Sequence, residues 1–105
     1  IVRDYRALMG TVVNVEPNAL RLTVGARVQA VIARASIEEV RRATWRELPP
    51  DTEPSYLRPT QPGDPNVVVR FRFPVRVTVA GLIPREVRVL GLSLDDPDGF
   101  VAALQ

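Results

Sequence analysis

Val67-Val68-Val69-Arg70-Phe71-Arg72-Phe73-Pro74-Val75-Arg76-Val77-Thr78-Val79 is the stretch on which the fold turns. Val67, Val69, Phe71, Phe73, Val75, Val77 and Val79 take the odd positions, and Arg70, Arg72, Arg76 and Thr78 the even ones. Side chains leave a pleated strand alternately on its two faces, so a repeat of two marks a strand with one dry and one wet face. Pro74 cannot donate to a ladder, and the segment is expected to break near it into two strands. The same period sets Arg70, Arg72 and Arg76 on one face, spread over about 20 Å at ~3.3 Å per residue.

Downstream, Gly81-Leu82-Ile83-Pro84 turns the chain, and Arg85 to Leu94 returns as a final strand. A helix follows. Asp96 is a good N-cap, Pro97 suits the first helical position, and Asp98 complements the positive helix end. Phe100, Ala103 and Leu104 then share one face, an apolar stripe that has to be buried against something.

Upstream, Glu47 to Pro65 carries six of the ten prolines, which excludes a helix or a central strand there. A 19-residue loop is long for a compact domain, and ordered loops of that length are often functional. Tyr56 and Leu57 lie at its middle, where they either pin the loop to the sheet surface or offer a binding anchor. Trp45, the one tryptophan, is open to the same two readings, as a core residue or an exposed anchor.

Ser36-Ile37-Glu38-Glu39 reads as a capping box with helical spacing behind it, or as a short turn into a strand from Ile37 to Trp45. Arg42-Ala43-Thr44-Trp45 is poor helix and good strand material, which favours the strand. Before it, Val28 to Ala33 reads as a strand after a Gly25-Ala26 turn. Leu20, Leu22 and Val24 alternate with Arg21 and Thr23 in another, after a Glu16-Pro17-Asn18 turn. Tyr5 to Val15 reads as a first strand, bulged near Gly10.

Composition bounds the chemistry. A chain of 105 residues, 46% apolar and 25% charged, is read as one soluble globular domain over residues 1–105. It begins at Ile1 rather than Met, as a piece cut from a longer protein would, with an anchor possible upstream. No stretch approaches the ~20 apolar residues of a membrane span. There is no Cys, so the expected compartment is a reducing cytoplasm, including the cytoplasmic side of a membrane-anchored protein. There is no His, which removes the commonest general base and metal ligand. All 14 basic residues are Arg, and the net charge of +2 is too small to imply nucleic acid.

Six or seven short strands followed by one amphipathic helix resemble the plan of the bacterial pleckstrin-homology-like (PH-like) family, especially its actinobacterial members. Ala35-Ser36-Ile37-Glu38-Glu39-Val40-Arg41-Arg42 resembles the family's strand that opens with a buried Ile and runs into alternating charge. Pro65-Asn66-Val67-Val68-Val69 and Pro74-Val75-Arg76-Val77 resemble its middle strands. Leu92-Ser93-Leu94-Asp95-Asp96-Pro97-Asp98-Gly99-Phe100-Val101-Ala102-Ala103-Leu104 resembles its ending. The likeness covers residues 18–105. It implies a mostly β fold, a bent antiparallel β-barrel of six to seven strands capped by one C-terminal α-helix, with Phe100 and Leu104 plugging one open end. Better-known PH domains bind phosphoinositides through basic residues around the first hairpin. The corresponding turn is Glu16-Pro17-Asn18, with Arg21 and Arg27 near it, and that site is not carried over.

The chemistry points to binding. Asp95-Asp96 is a close carboxylate pair, but helix capping explains Asp96, and Glu38-Glu39 reads as a solvated pair. With neither His nor Cys and no nucleophile setting, the chain is read as no enzyme, and no cofactor or metal is expected. The Arg70, Arg72 and Arg76 stripe either binds an anionic group or pairs with Glu86, Glu39 or Glu47 to keep a face soluble. A protein-docking module, self-association included, is the first expectation. An anionic membrane surface is second. Nucleic acid is weakest, because no aromatic side chain interleaves the Arg stripe.

Overall fold

The computed structural model describes residues 3–6, 11–24, 27–44, 56–57, 65–79 and 83–105. Eight strands lie among them: β1 (Arg3–Arg6), β2 (Thr11–Val15), β3 (Ala19–Val24), β4 (Arg27–Ala33), β5 (Ile37–Arg42), β6 (Tyr56–Leu57), β7 (Val67–Val79) and β8 (Ile83–Leu92). Helix α1 (Pro97–Leu104) follows. The first sheet is the antiparallel meander β1-β2-β3-β4. The second has the order β5-β7-β8-β6, antiparallel except where β6 runs parallel to β8.

Three expectations change. Tyr5 to Val15 is not one bulged strand. It folds back as β1 and β2, with Arg3 opposite Val15 and Arg6 opposite Val12. The fold-back sets Tyr5 beside Val13, and both enter the core. The long segment from Val67 also stays one strand of 13 residues instead of breaking at Pro74. What breaks is its pairing. Arg70 faces Val89 and the next matched pair is Val75 with Val87, so Phe71, Arg72, Phe73 and Pro74 face Arg88 alone. The missing N–H of Pro74 is thus absorbed as a ladder irregularity within β7. Finally, the hairpin and the two-residue β6 bring the strands above the expected six or seven.

The ambiguous Ser36 region resolves as the favoured strand. Arg34–Ser36 makes one 3-10 turn and β5 begins at Ile37. That strand ends at Arg42, although the Ala43 N–H still donates to the Asn66 carbonyl (3.0 Å). Trp45 lies outside the described residues.

One core spans both sheets and the helix. Tyr5, Val13, Leu20, Leu22 and Ile32 come from the first sheet, Val40, Val67, Val69, Phe71 and Leu90 from the second, and Phe100 from α1. The Asp96 carboxylate accepts from the Gly99 N–H at 3.1 Å, and Pro97 opens the helix, as the sequence reading expects. Phe100 is fully buried, with its ring edge-on to Tyr5 at 5.3 Å and 80°. Burying such a ring contributes about 1.5–3 kcal/mol. The Tyr5 hydroxyl donates to the Gly99 carbonyl (3.0 Å), which fixes the helix start over the first sheet.

One hydrogen bond joins the two sheets at a corner, and one side chain extends the second sheet at its end. The Asp95 N–H donates to the Arg6 carbonyl (3.0 Å), tying the chain after β8 to β1. The Asn66 side chain both donates to the Leu94 carbonyl (2.9 Å) and accepts from the Leu94 N–H (3.0 Å), imitating a ladder pair beyond the end of β8. The two sheets share no strand and no continuous ladder encircles the core among the described residues.

Candidate functional site

The second sheet has two outer strands, and they differ. On the β8 side, Tyr56 and Leu57 pair with Val89 and Leu90. Tyr56 is buried, in a small cluster with Val68 and Val89 on the sheet face away from the main core. Its ring lies on Gly91, where a β-carbon would sit 2.5 Å from the hydroxyl oxygen and 3.0 Å from the ring. Glycine is required there by close approach. The Arg85 guanidinium donates to the Tyr56 carbonyl (2.7 Å) and pins the strand further. Leu57 contributes its backbone to the same parallel pair.

On the other side, β5 pairs with β7 along one edge, and its second edge meets no strand among the described residues. Val40 anchors β5 in the core and Ile37 packs partly against it. Glu39 and Arg41 share the outer face, their carboxylate and guanidinium 3.1 Å apart. Ile37 faces Phe71 while Glu39 faces Arg70, so Glu38 is the extra residue of a bulge, exposed and without an ion pair among the described residues. Charged side chains on an edge keep it from pairing indiscriminately.

Beside that open edge lies an open cleft of about 290 Å³, lined by Arg34, Ile37, Glu38, Glu39, Val40, Leu104 and Gln105. Its far wall is the C-terminal end of α1. Arg34 positions that wall. Its guanidinium donates to the Ala103 carbonyl (3.0 Å) in the last helical turn and to the Pro17 carbonyl (3.4 Å) in the β2–β3 turn. Arginine complements the negative end of a helix, so the contact is favourable in charge as well as geometry. Arg42 reaches Asp98 in the first turn at 2.8 Å, an exposed pair. Leu104, expected to plug the core end, is half-buried and divides its surface between core and cleft.

The Arg stripe is less regular than its spacing implies. Arg70 lies 3.8 Å from Glu39 on β5, as the pairing alternative anticipates. Arg72 is exposed on the irregular part of β7, and its Nε donates to the Ala35 carbonyl (3.1 Å). Arg76 is exposed, stands opposite Glu86 in register, and makes no ion pair among the described residues. Between Arg72 and Arg76, Phe73 is 55% exposed, although its odd position assigns it to the dry face. The irregular pairing from Phe71 to Pro74 is the cause, because alternation holds only while the ladder does.

Arg34 and Asn66 are the residues that sequence reasoning passed over. Their partners lie 69 and 28 positions away, beyond any local spacing signal. Among the described residues no group of three or more His, Cys, Asp or Glu side chains could hold a metal ion, and no helix is long and apolar enough to cross a membrane. No protein-family model, curated protein or solved structure matches the chain.

Proposed function

We propose that this chain is a non-catalytic docking module of PH-like architecture that binds a protein partner by adding an extended segment to β5. A four-stranded meander, a second sheet containing β5, β7 and β8, and a helix directly after the last long strand support the PH-like reading alongside the sequence resemblance. The observation that carries the docking reading is the open edge of β5 beside the cleft. An edge strand offers unpaired N–H and C=O groups in register, so main-chain hydrogen bonds supply affinity, and a neighbouring cleft takes alternate side chains for specificity. Ile37 and Leu104 give that cleft apolar surface, and Arg34 and Glu38 give it charge of both signs.

Selection of binders from a random extended-peptide library, followed by amide chemical-shift mapping, tests the reading. Perturbation centred on Ile37 to Arg42, Leu104 and Gln105 is the expected result. Selected peptides that perturb only other surfaces, or a library that yields none, would sink it.

A second reading has its own support. Phe73 is exposed between Arg72 and Arg76, neither of which has a carboxylate partner among the described residues. An apolar tip flanked by guanidinium groups suits an anionic membrane surface. Co-sedimentation with phosphatidylserine vesicles that disappears in both Phe73→Asp and Arg72→Ala/Arg76→Ala variants is the expected outcome, and no sedimentation at low salt ends this second reading.

A further inference from the structure

We infer that the β5 edge is built to accept a second copy of this chain, paired antiparallel through β5 about a twofold axis at Val40. The inference rests on the docking reading and names its partner. Its basis is the order of charge along the open strand, Glu38-Glu39-Val40-Arg41-Arg42, which is acid, acid, apolar, base, base. Reversing such a strand against itself brings opposites together. With Val40 facing the second copy's Val40, each Glu39 stands opposite an Arg41, and each Glu38 opposite an Arg42.

The alternatives are penalised by the same side chains. A parallel pairing in register sets Glu against Glu and Arg against Arg. A slip of two residues in the antiparallel pairing brings Glu39 opposite Glu39, or Arg41 opposite Arg41. A slip of one turns the outer face of one copy against the inner face of the other. Like charges directly opposite on neighbouring strands destabilise the pair, and opposite charges support it. One register satisfies every position, and a twofold axis is the symmetry that a self-complementary edge produces.

The two acidic side chains have room for the added pairs, and each Arg42 would exchange its exposed contact with Asp98 for one with Glu38. The contacts that Glu39 makes with Arg41 and Arg70 both fall on its Oε1 atom, which leaves Oε2 to accept from the second copy's Arg41. Glu38 has no ion pair in its own chain among the described residues and lines the cleft that the incoming strand would enter. Glu39 and Arg41 already share one face, as the 3.1 Å contact between them requires, so the two Glu39–Arg41 pairs across the axis form on that same face.

Charge exchange tests the idea. One variant carries Glu38→Arg and Glu39→Arg, the other Arg41→Glu and Arg42→Glu. Sedimentation velocity at low salt, over a concentration series into the millimolar range, should show the unaltered chain dimerising. Each variant alone should dimerise at least about tenfold more weakly, because its own register sets like against like. An equimolar mixture of the two should recover association as a heterodimer. A chain that stays monomeric throughout the series, or folded variants whose mixture fails to associate, overturns the inference.

Hydrogen exchange on the unaltered chain gives a reading that does not depend on the variants folding. Amides from Ile37 to Arg42 should gain protection as concentration rises. Protection that appears elsewhere, or nowhere, overturns the inference as well. If self-association fails while selected peptides still map to β5, the docking reading stands without its self-partner, whereas silence in both experiments removes both.

Discussion

The two edges of the second sheet are treated in opposite ways. The β8 edge receives a two-residue strand from the proline-rich stretch, held by a tyrosine ring on Gly91 and by the Arg85 guanidinium. The β5 edge receives no strand among the described residues and borders a cleft instead. Unpaired edges invite aggregation, and proteins normally cover, shorten or charge them. This chain covers one edge with the Tyr56–Leu57 strand and charges the other, in an order that is complementary only to its own reverse. A covered edge protects the fold, whereas an edge with ordered charge excludes most partners and admits a matching one.

The largest effect comes from undermining the wall that the open edge depends on. Phe100→Ala removes a fully buried ring from the joint between α1 and the core, and should lower the unfolding free energy by about 3–5 kcal/mol. Urea denaturation checks the magnitude. A loss below about 1 kcal/mol would mean that the helix is held mainly by something other than this ring.

The covered edge breaks differently. Gly91→Val drives a side chain into the Tyr56 ring and should cost about 1–3 kcal/mol. Hydrogen exchange then locates the damage. Amide protection at Tyr56 and Leu57 should fall while that of β5 stays unchanged. If both edges lose protection together, the two are one cooperative unit and the contrast between them is weaker than the geometry indicates.

Much of this fold is legible in the alternation itself. Leu20 and Leu22, then Val67, Val69 and Phe71, announce strands with a dry face, and Asp96-Pro97 followed by Phe100 announces a capped, buried helix. The reading fails where pairing departs from regularity. Phe73 keeps its odd position and loses its dry face because four residues of β7 stand against one of β8. Local spacing carries no information about such a mismatch. Tyr56 behaves similarly. A tyrosine within a proline-rich loop has no local reason to be a buried strand residue, and the residues that hold it, Gly91, Val68, Val89 and Arg85, are distant in sequence. The candidate site is half legible. The charge order of β5 stands in the sequence, but its exposed edge depends on strand order, and the cleft wall depends on Arg34 reaching 69 positions along the chain.

A smaller effect separates stability from docking. Asp96→Ala removes the helix cap and should cost about 1 kcal/mol. The capped end of α1 is the opposite end from the one lining the cleft, so affinity for peptides mapped to β5 should hardly move. A parallel loss of stability and affinity would show that the first turn of the helix also shapes the binding edge.

The smallest effect on the fold belongs to Glu39→Gln. Its pairs with Arg41 and Arg70 are both partly exposed, and such pairs contribute about 0.2–1 kcal/mol at most. Thermal unfolding should therefore shift little. At the edge the same carboxylate has a second role, because in a twofold pair it occurs once on each side of the axis. Neutralising it removes two charge pairs from one small interface, whereas the two partly exposed pairs it removes within each chain are a minor part of a much larger folding free energy. Glu39→Gln should accordingly weaken self-association more than it weakens folding, and added salt should narrow the gap between variant and unaltered chain. A variant that loses stability without losing association would assign Glu39 to the fold and leave the open edge without its specificity element.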